Sequence, residues 1–323
     1  MKLEKILLGV ASACLAGCVV YTPARVPDAQ PIDRGRLPVA DVAVEIPRLG
    51  PCTDSPDRTL RFNASQPVTV LVHGCNASTG SFRSLAQLYA FHGQQAVCFN
   101  YDGRDSLVVS SAQLIAAVDE LAGHVRDRSV MVIGHSMGGL VARKAMEADR
   151  RDQWRRPDAN IQLVTVSAPL AGIKAASTCG VRPLHWLSLG TLPGLCWVIS
   201  GDNWYEITAP SEFIQRPRPL LPSVRRYLKV VTDERDTCRN RTAGGLCLES
   251  DHIFSVAEQY QPVIDGYPQL TNVEVRPGMS RSWATRRWPR ASSWPSCSSR
   301  ACWLRRRQSG ARRWSACWPS STE

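Results

Sequence analysis

Residues 134–139 have the types and spacing most suited to chemistry in this chain. They read Gly-His-Ser-Met-Gly-Gly, follow the apolar run 130–133 and precede a helical pattern at residues 140–146. Small residues around a serine at a strand-to-helix turn leave it at the tip of a strained turn with an exposed hydroxyl. The helix directs amide N–H groups and its positive dipole end at the same point. The pattern predicts a nucleophile, Ser136, beside an oxyanion-stabilising site; the alternative is a chance glycine-rich turn.

The segments around Ser136 predict a parallel sheet covered by helices on both faces, because apolar runs alternate with helical patterns. The predicted strands are 67–72, 96–101, 130–133, 161–166 and 226–232, and helical patterns at 81–92 and 110–124 lie between them. Ligands of such sheets bind beyond the carboxyl ends of the strands. The turn at His73, the turn at Ser136 and the loop after Thr232 are therefore expected at one edge.

Four segments of this chain resemble the lipase/esterase branch of the α/β-hydrolase superfamily, and the likeness is to bacterial triacylglycerol lipases. Leu-Val-His-Gly at 71–74 resembles the first oxyanion turn of that branch, and residues 134–143 resemble its nucleophile turn. Residues 167–172 and 207–214 resemble a later turn and part of the lid region. The resemblance covers roughly residues 65–260 and implies the α/β-hydrolase fold class, with a mainly parallel sheet and a lid-like insertion.

The general base predicted for Ser136 is His252. A serine nucleophile needs an imidazole to accept its proton and a carboxylate to orient that imidazole. The order in this fold is serine, acid, histidine. Of the two histidines after Ser136, His185 precedes the last predicted strand and is in the wrong order, whereas His252 follows it.

The acid is assigned to Asp236, because the family's acid lies a few residues past the strand at 226–232. Asp233 is the alternative, and Asp251 is too close to His252 along the chain to orient it. Only fifteen residues separate Asp236 from His252, where the family usually has another strand. The sequence therefore predicts that the final strand of the sheet is absent or a stub.

The predicted oxyanion hole consists of two backbone N–H groups. One belongs to Met137, which follows the nucleophile, and the resemblance assigns the other to Cys75. Because the donor is a backbone group, the Cys75 side chain needs no chemical role, although a nucleophilic Cys75 is the alternative. His73 is interpreted as a residue that braces the turn.

The N-terminus is interpreted as a targeting segment. Lys2 and Lys5 precede the apolar stretch 6–16, which is too short to span a membrane and ends in Leu-Ala-Gly-Cys at residues 15–18. This resembles a bacterial lipoprotein signal peptide, which implies acylation of Cys18 and a membrane anchor without a spanning helix. An ordinary secretory signal is the alternative. Either interpretation predicts export, and the first predicts a cell-envelope lipoprotein, at the outer membrane facing the periplasm or the surface.

Charge is concentrated at the other end of the chain. Residues 276–323 contain eleven arginines and one acid, so they carry +10 of the formal +11, and the rest is near neutral. The charge therefore gives no case for a nucleic-acid partner. The abrupt change to Arg, Trp and Ser predicts a disordered tail, either a membrane-binding segment or an out-of-frame translation.

Seven of the twelve cysteines lie in the body of the exported chain. The predicted disulfides are Cys52 with Cys98, Cys179 with Cys196, and Cys238 with Cys247. Because seven is an odd number, at least one of these cysteines is free or is paired with a cysteine outside the body.

The sequence divides into five predicted parts: a signal peptide (1–17), a tether (18–57) with one edge strand at 42–46, a hydrolase domain (58–275), its lid-like insertion (173–221) and the tail (276–323). The apolar residues of the insertion favour an acyl-lipid substrate; a packed subdomain is the alternative. The predicted function is hydrolysis of carboxylic esters without a cofactor or metal. An acyltransferase with the same triad and a non-catalytic envelope lipoprotein are the other hypotheses, and the oligomeric state is open.

Overall fold

The computed structural model describes residues 36–75, 77–173, 176, 179, 187–188, 191–233, 238–241, 247–250 and 255–275. The chain divides into two compact units, residues 1–286 and 287–323, and every described residue belongs to the first. The predicted signal peptide, Cys18 and the predicted tail from residue 276 lie outside the described residues.

The described strands and helices alternate along the chain. The strands are β1 (Val42–Val44), β2 (Leu49–Gly50), β3 (Leu60–Phe62), β4 (Val68–Val72), β5 (Gln95–Phe99), β6 (Ser129–His135), β7 (Asn160–Val166), β8 (Val224–Thr232), β9 (Cys238–Arg241), β10 (Cys247–Ser250) and β11 (Leu270–Val275). The α-helices are α1 (Arg83–Phe91), α2 (Leu107–His124), α3 (Met137–Ala145), α4 (Thr191–Ser200), α5 (Glu212–Gln215) and α6 (Pro262–Asp265). Single 3-10 turns occur at Thr79–Phe82, Ala148–Gln153, Gly201–Asn203 and Val256–Gln259.

Seven strands form the central sheet, in the order β11-β8-β7-β6-β4-β5-β2. All neighbours are parallel except β2, which pairs antiparallel with β5 at one edge. The middle strands are continuous apolar runs because both of their faces are covered; all five residues of β4 are buried. The alternation in the sequence predicted this parallel sheet, and the structure confirms it.

The strand order reverses direction at β4. The chain passes from β4 to β5 on one side, then crosses to form β6 on the other side. A crevice opens beyond the carboxyl ends of the strands at such a switch point. The register aligns Val72 with Gly134, so β4 and β6 end together at this crevice. The residues that follow these two strands, His73-Gly74 and Ser136, are therefore brought to one place.

Two apolar clusters cover the opposite faces of the sheet. Alternate residues of a strand point to opposite faces, and Val70 and Leu71 of β4 belong to different clusters. The larger cluster contains Leu114 of α2 and Leu140 of α3, and the smaller contains Ala86 of α1. Helices therefore pack on both faces and hold the strand ends in fixed positions.

The sheet has a full final strand, contrary to the sequence-based prediction that it is absent or a stub. This strand is β11, which pairs with β8 over six residues and follows position 252 instead of preceding it. Between β8 and β11 the chain forms the antiparallel hairpin of β9 and β10, which does not join the central sheet. The prediction failed because it looked for the strand between Asp236 and His252.

The fold also begins earlier than the predicted boundary at residue 58. The predicted edge strand 42–46 is realised as β1, which pairs with β3 in a small antiparallel sheet. Ile46 and Leu49 are buried in the main core, and β2 forms the edge of the central sheet. The segment from residue 42 onward is thus part of the domain and not a tether.

Two of the three predicted disulfides are present. Cys52 is bonded to Cys98 and Cys179 to Cys196. The third predicted pair, Cys238 with Cys247, stays a prediction, because the side chains of these two residues lie outside the part of the chain that the structure describes.

Candidate active site

Ser136 lies between β6 and α3 with a strained backbone. Its φ is 52° and its ψ is −127°, a combination that L-residues rarely adopt. Two hydrogen bonds hold this conformation: Ser136 N–H donates to the Val166 carbonyl at 2.9 Å, and Gly139 N–H donates to the Ser136 carbonyl at 2.9 Å. The side chain is half-buried and so keeps some access to solvent. The geometry is that of a nucleophile turn.

The turn after β4 packs directly against Ser136. A Cβ added to Gly74 would lie 3.0 Å from the Ser136 Cβ, and a Cβ added to Gly138 would lie 2.2 Å from the His73 carbonyl oxygen. Real Cβ atoms do not approach backbone as closely as 2.2 Å, so position 138 requires glycine, whereas a Cβ at position 74 would be tightly packed against Ser136. The two turns are therefore in contact, as the rule that parallel strands end at one edge predicted.

Two backbone N–H groups at this contact were predicted oxyanion donors. Met137 is the first residue of α3, and its N–H belongs to the unpaired first turn of a nine-residue helix. Cys75 follows Gly74 in the turn that touches Ser136. Its side chain is disulfide-bonded and offers no thiol. A nucleophilic Cys75, the alternative considered above, is thereby ruled out.

His73 is fully buried beside this turn. Its ring stacks on Tyr101 with centroids 4.4 Å apart, and the Tyr101 hydroxyl donates to the His73 carbonyl at 2.6 Å. The ring Nδ1 is 2.9 Å from the Gly74 carbonyl oxygen, which accepts only, so Nδ1 carries the proton. Burial lowers the pKa of His73, so the ring is neutral at neutral pH.

Four histidines are described, and none has the properties of a general base for Ser136. Burial lowers the pKa of His135 to about 3 and also lowers that of His73, whereas an efficient base has a pKa near the working pH. His92 and His124 lie at the carboxyl ends of α1 and α2. Helices that connect parallel strands run antiparallel to them, so these two lie at the opposite edge. His185 and His252 are outside the described residues.

The acid candidates follow β8. Asp233 is the first residue after the strand, is half-buried, and donates its backbone N–H to the Val275 carbonyl of β11 at 2.9 Å. Asp236 and Asp251 lie outside the described residues. The structure therefore locates the end of β8, the strand after which the acid is predicted, and both Asp236 and Asp233 stay predictions.

The segment 255–260 is tied to the same edge of the sheet by what we call the Gln259 clamp, formed by Gln259 and Thr232. Thr232 N–H donates to Gln259 Oε1 at 3.0 Å, and Gln259 Nε2 donates to the Thr232 carbonyl at 2.8 Å. Thr232 Oγ1 is also 2.6 Å from Ser167 Oγ, at the end of β7. The ends of β7 and β8 are therefore bonded to each other and to the segment just after position 252.

The insertion at 173–221 is joined to the Ser136 region by polar contacts. Buried Asn203 donates to the Gly103 carbonyl at 2.7 Å and lies 3.8 Å from Met137 Sδ. The Glu206 carboxylate accepts from the Ser106 hydroxyl at 2.8 Å and from Leu107 N–H at the start of α2. Burial raises the pKa of Glu206, while these hydrogen bonds act in the opposite direction.

Some of these contacts could not be found from sequence. A Ser-x-x-Glu capping box, formed by Ser255 and Glu258, marks the start of a helical turn. Nothing in the sequence marks Thr232 as the partner of Gln259, or Gly103 as the partner of Asn203, because each pair is distant along the chain.

Two further features concern only the described part of the chain. No group of three or more His, Cys, Asp or Glu side chains there has an arrangement that would hold a metal ion. No helix there has the length and apolar character needed to cross a bilayer.

Comparison with known proteins bears on the fold. Residues 112–178, which contain Ser136, match the family model described as PGAP1-like alpha/beta domain. The mature form of Bacillus licheniformis lipase BlEst2 is 17% identical over 72% of this chain and 90% of that one, with a TM-score of 0.46. Paleococcus ferrophilus monoacylglycerol lipase is 16% identical over 66% of this chain and 87% of that one, with a TM-score of 0.37. Carboxyl esterase 2 of Tuber melanosporum is 13% identical over 78% of this chain and 80% of that one, with a TM-score of 0.44. No curated protein matches.

The class of fold follows from the sheet and the nucleophile turn. A mainly parallel sheet with helices on both faces carries a strained serine at its switch point, within a segment that matches a PGAP1-like alpha/beta domain. The chain has the α/β-hydrolase fold, as the resemblance implied.

Proposed function

We propose that this protein is a serine hydrolase that cleaves carboxylic esters through an acyl-enzyme on Ser136. One observation carries the proposal: the strained Ser136 lies against the Gly74 turn, with a helix N-terminus behind it. Preorganised N–H donors at such a point stabilise the oxyanion that forms when a hydroxyl attacks an ester carbonyl. The donors proposed are the backbone N–H groups of Met137 and Cys75.

In the proposed mechanism His252 takes the proton of Ser136 as the serine oxygen attacks the ester carbonyl, and gives it to the departing alcohol when the acyl-enzyme forms. His252 then takes a proton from the water that attacks the acyl-enzyme and returns it to the Ser136 oxygen as the acid product leaves. Elimination supports this role, because the four described histidines are neutral and buried or lie at the wrong edge. His252 is three residues before Ser255, a chain length of at most about 11 Å. The Gln259 clamp ties the segment that begins at Ser255 to the end of β8.

Asp236 is the proposed acid, which orients His252 and stabilises its charged form. It is three residues after Asp233, which is also within about 11 Å of chain. Asp233 itself is the alternative. Separate Asp236→Asn and Asp233→Asn variants distinguish the two candidates. Substitution of the residue that is the acid should lower kcat roughly 10⁴-fold, because the asparagine amide holds the wrong tautomer of the imidazole.

The substrate proposed is an acyl ester with an apolar chain. Side chains of the insertion and of the adjoining start of α2 are apolar and solvent-exposed: Trp197 by 51%, Leu187 by 79%, Val108 by 40% and Val109 by 49%. Exposed apolar area around a serine site favours an acyl substrate. A series of p-nitrophenyl esters of increasing chain length tests this, and a preference for acetate over longer chains would contradict it.

A fluorophosphonate probe tests the proposed activity directly. Wild-type protein is expected to label, and Ser136→Ala to lose both labelling and ester hydrolysis. Ser129→Ala, at the other end of β6, is the matched control and keeps both. Folded wild-type protein that neither labels nor hydrolyses any ester would support the non-catalytic alternative.

We also propose export and lipidation at Cys18, which would anchor the enzyme to the cell envelope. The two disulfides of the fold support export, because such bonds persist in oxidising compartments. Labelling with radioactive palmitate in a bacterial host tests the anchor. Incorporation that survives a Cys18→Ser substitution would contradict it.

A further inference from the structure

We propose that Gln259 is a positioning residue that fixes the base-bearing segment to the end of the acid-bearing strand. This rests on the proposed function of His252 and extends it to a side chain outside the triad. Gln259 is 2% exposed, and Thr232, its partner, is the last residue of β8. The proposed acid, Asp236, lies four residues after Thr232, and the proposed base precedes Gln259 by seven residues.

The clamp fixes position because both of its hydrogen bonds join one side-chain amide to one residue's backbone. The carbonyl oxygen of Gln259 faces the Thr232 N–H, and its NH₂ group faces the Thr232 carbonyl. Rotating the amide by 180° would place donor against donor and acceptor against acceptor, so a single orientation satisfies all four groups. Each group is buried, and an unsatisfied buried partner is costly.

Two more contacts hold the backbone of the same segment. Lys229 Nζ donates to the Gln259 carbonyl at 3.3 Å, and Ala171 N–H donates to the Glu258 carbonyl at 2.9 Å. Lys229 is itself held by an ion pair with Asp265 and lies over the Tyr260 ring. The segment is therefore attached to β8 and to the loop after β7, and β7 is the strand that pairs with β6.

The Gln259 clamp connects two parts of the proposed site that the central sheet does not join. The hairpin of β9 and β10 stands between the acid and the base and does not pair with the central sheet. Pairing within the central sheet therefore does not by itself fix the base-bearing segment relative to the acid-bearing strand. The Gln259 clamp supplies that connection, and catalysis is sensitive to it because small displacements of a catalytic group cost rate steeply.

The test compares Gln259→Met with Gln261→Met. The Gln261 side chain is also buried and also takes part in two hydrogen bonds, from Val263 N–H and Ile264 N–H, but these bonds cap α6 and do not join the segment to β8. We expect Gln259→Met to lower kcat at least about tenfold with KM nearly unchanged, because base alignment matters only as the reaction proceeds. Gln261→Met should lose a similar amount of stability and keep kcat within about twofold.

Gln259→Asn keeps the proposal testable if the methionine variant does not fold. Its amide is one methylene too short to bond both Thr232 groups, so the same loss of kcat is expected. Labelling of Ser136 by the fluorophosphonate should slow in parallel. A kcat for Gln259→Asn within about twofold of wild type, or an equal loss in Gln261→Met, would overturn the proposal.

Hydrogen exchange separates this proposal from the proposed function. If wild-type protein hydrolyses no ester, the serine-hydrolase proposal fails, yet the clamp still predicts faster amide exchange at residues 251–258 in Gln259→Met than in Gln261→Met. Equal exchange in the two variants would refute the clamp whether or not the protein is an enzyme.

Discussion

The hydrogen bond from the His73 ring to the Gly74 carbonyl allows the predicted oxyanion turn to be tested separately from the triad. The Gly74 carbonyl and the Cys75 N–H belong to one planar trans peptide, so they point in opposite directions. Because His73 Nδ1–H donates to that carbonyl at 2.9 Å, the ring also fixes the direction of the Cys75 N–H. We expect His73→Phe, which keeps an aromatic ring against Tyr101 and removes the donor, to release this peptide.

The expected size of the effect follows from the donor at stake. One oxyanion-hole donor is worth roughly 2.7–4 kcal/mol, or about 10²–10³ in kcat. If the released peptide turns away, His73→Phe loses about that factor in kcat while KM stays nearly constant, because the oxyanion exists only after attack. A boronic acid that mimics the tetrahedral intermediate should lose affinity by a similar factor. The assay is steady-state hydrolysis of a p-nitrophenyl ester.

The matched control is His92→Phe, the same substitution at an exposed residue beyond the end of α1. It should leave kcat and KM unchanged. Because burial lowers the pKa of His73, its neutral ring contributes nothing to the acid limb of the rate profile, and that limb should not move in His73→Phe. A shift of the acid limb in His73→Phe would make His73 the general base. An unchanged kcat would show that the hydrogen bond from His73 does not fix the Gly74–Cys75 peptide, and either result would refute the reasoning.

Three other predictions concern the scaffold. Gly138→Ala should abolish ester hydrolysis and lower the melting temperature, since its Cβ would lie 2.2 Å from the His73 carbonyl oxygen and 2.4 Å from that of Val72; an active, stable variant would contradict the close approach. The double variant Cys52→Ala, Cys98→Ala should lose about 4 kcal/mol of unfolding free energy in urea, because the bond closes a loop of 46 residues; a loss below about 1 kcal/mol would be inconsistent with this. Ending the chain after residue 277 should keep activity, because β11 ends at Val275, and an insoluble or inactive product would count against it.

The part of the fold nearest Ser136 was predictable because its signals are local. Continuous apolar runs with a helix between them predicted β4 to β8, and the small residues around Ser136 predicted a turn whose strain the structure confirms. Contact between the Gly74 turn and Ser136 followed from the rule that parallel strands end at one edge.

The errors have a common physical origin, since the missed features depend on partners far along the chain. The strand β11 has four exposed residues of six, so it lacks the apolar run that identifies a buried strand. Leu49 was assigned to a tether because proline and charge surround it, although β2 needs only two residues to pair with β5. The partner of Gln259 is 27 residues away and leaves no periodic signal.

The position of β11 has a consequence for proteolysis. Because β11 pairs with β8, everything between residues 233 and 269 is an internal crossover closed at both ends by neighbouring strands, with Asp233 bonded to Val275. Proteases that trim a chain from its end meet a paired strand before they reach this crossover. Removal of the arginine-rich tail by such proteases would then leave β11 and the crossover in place, so the shortened chain would be a stable product and not a degradation intermediate.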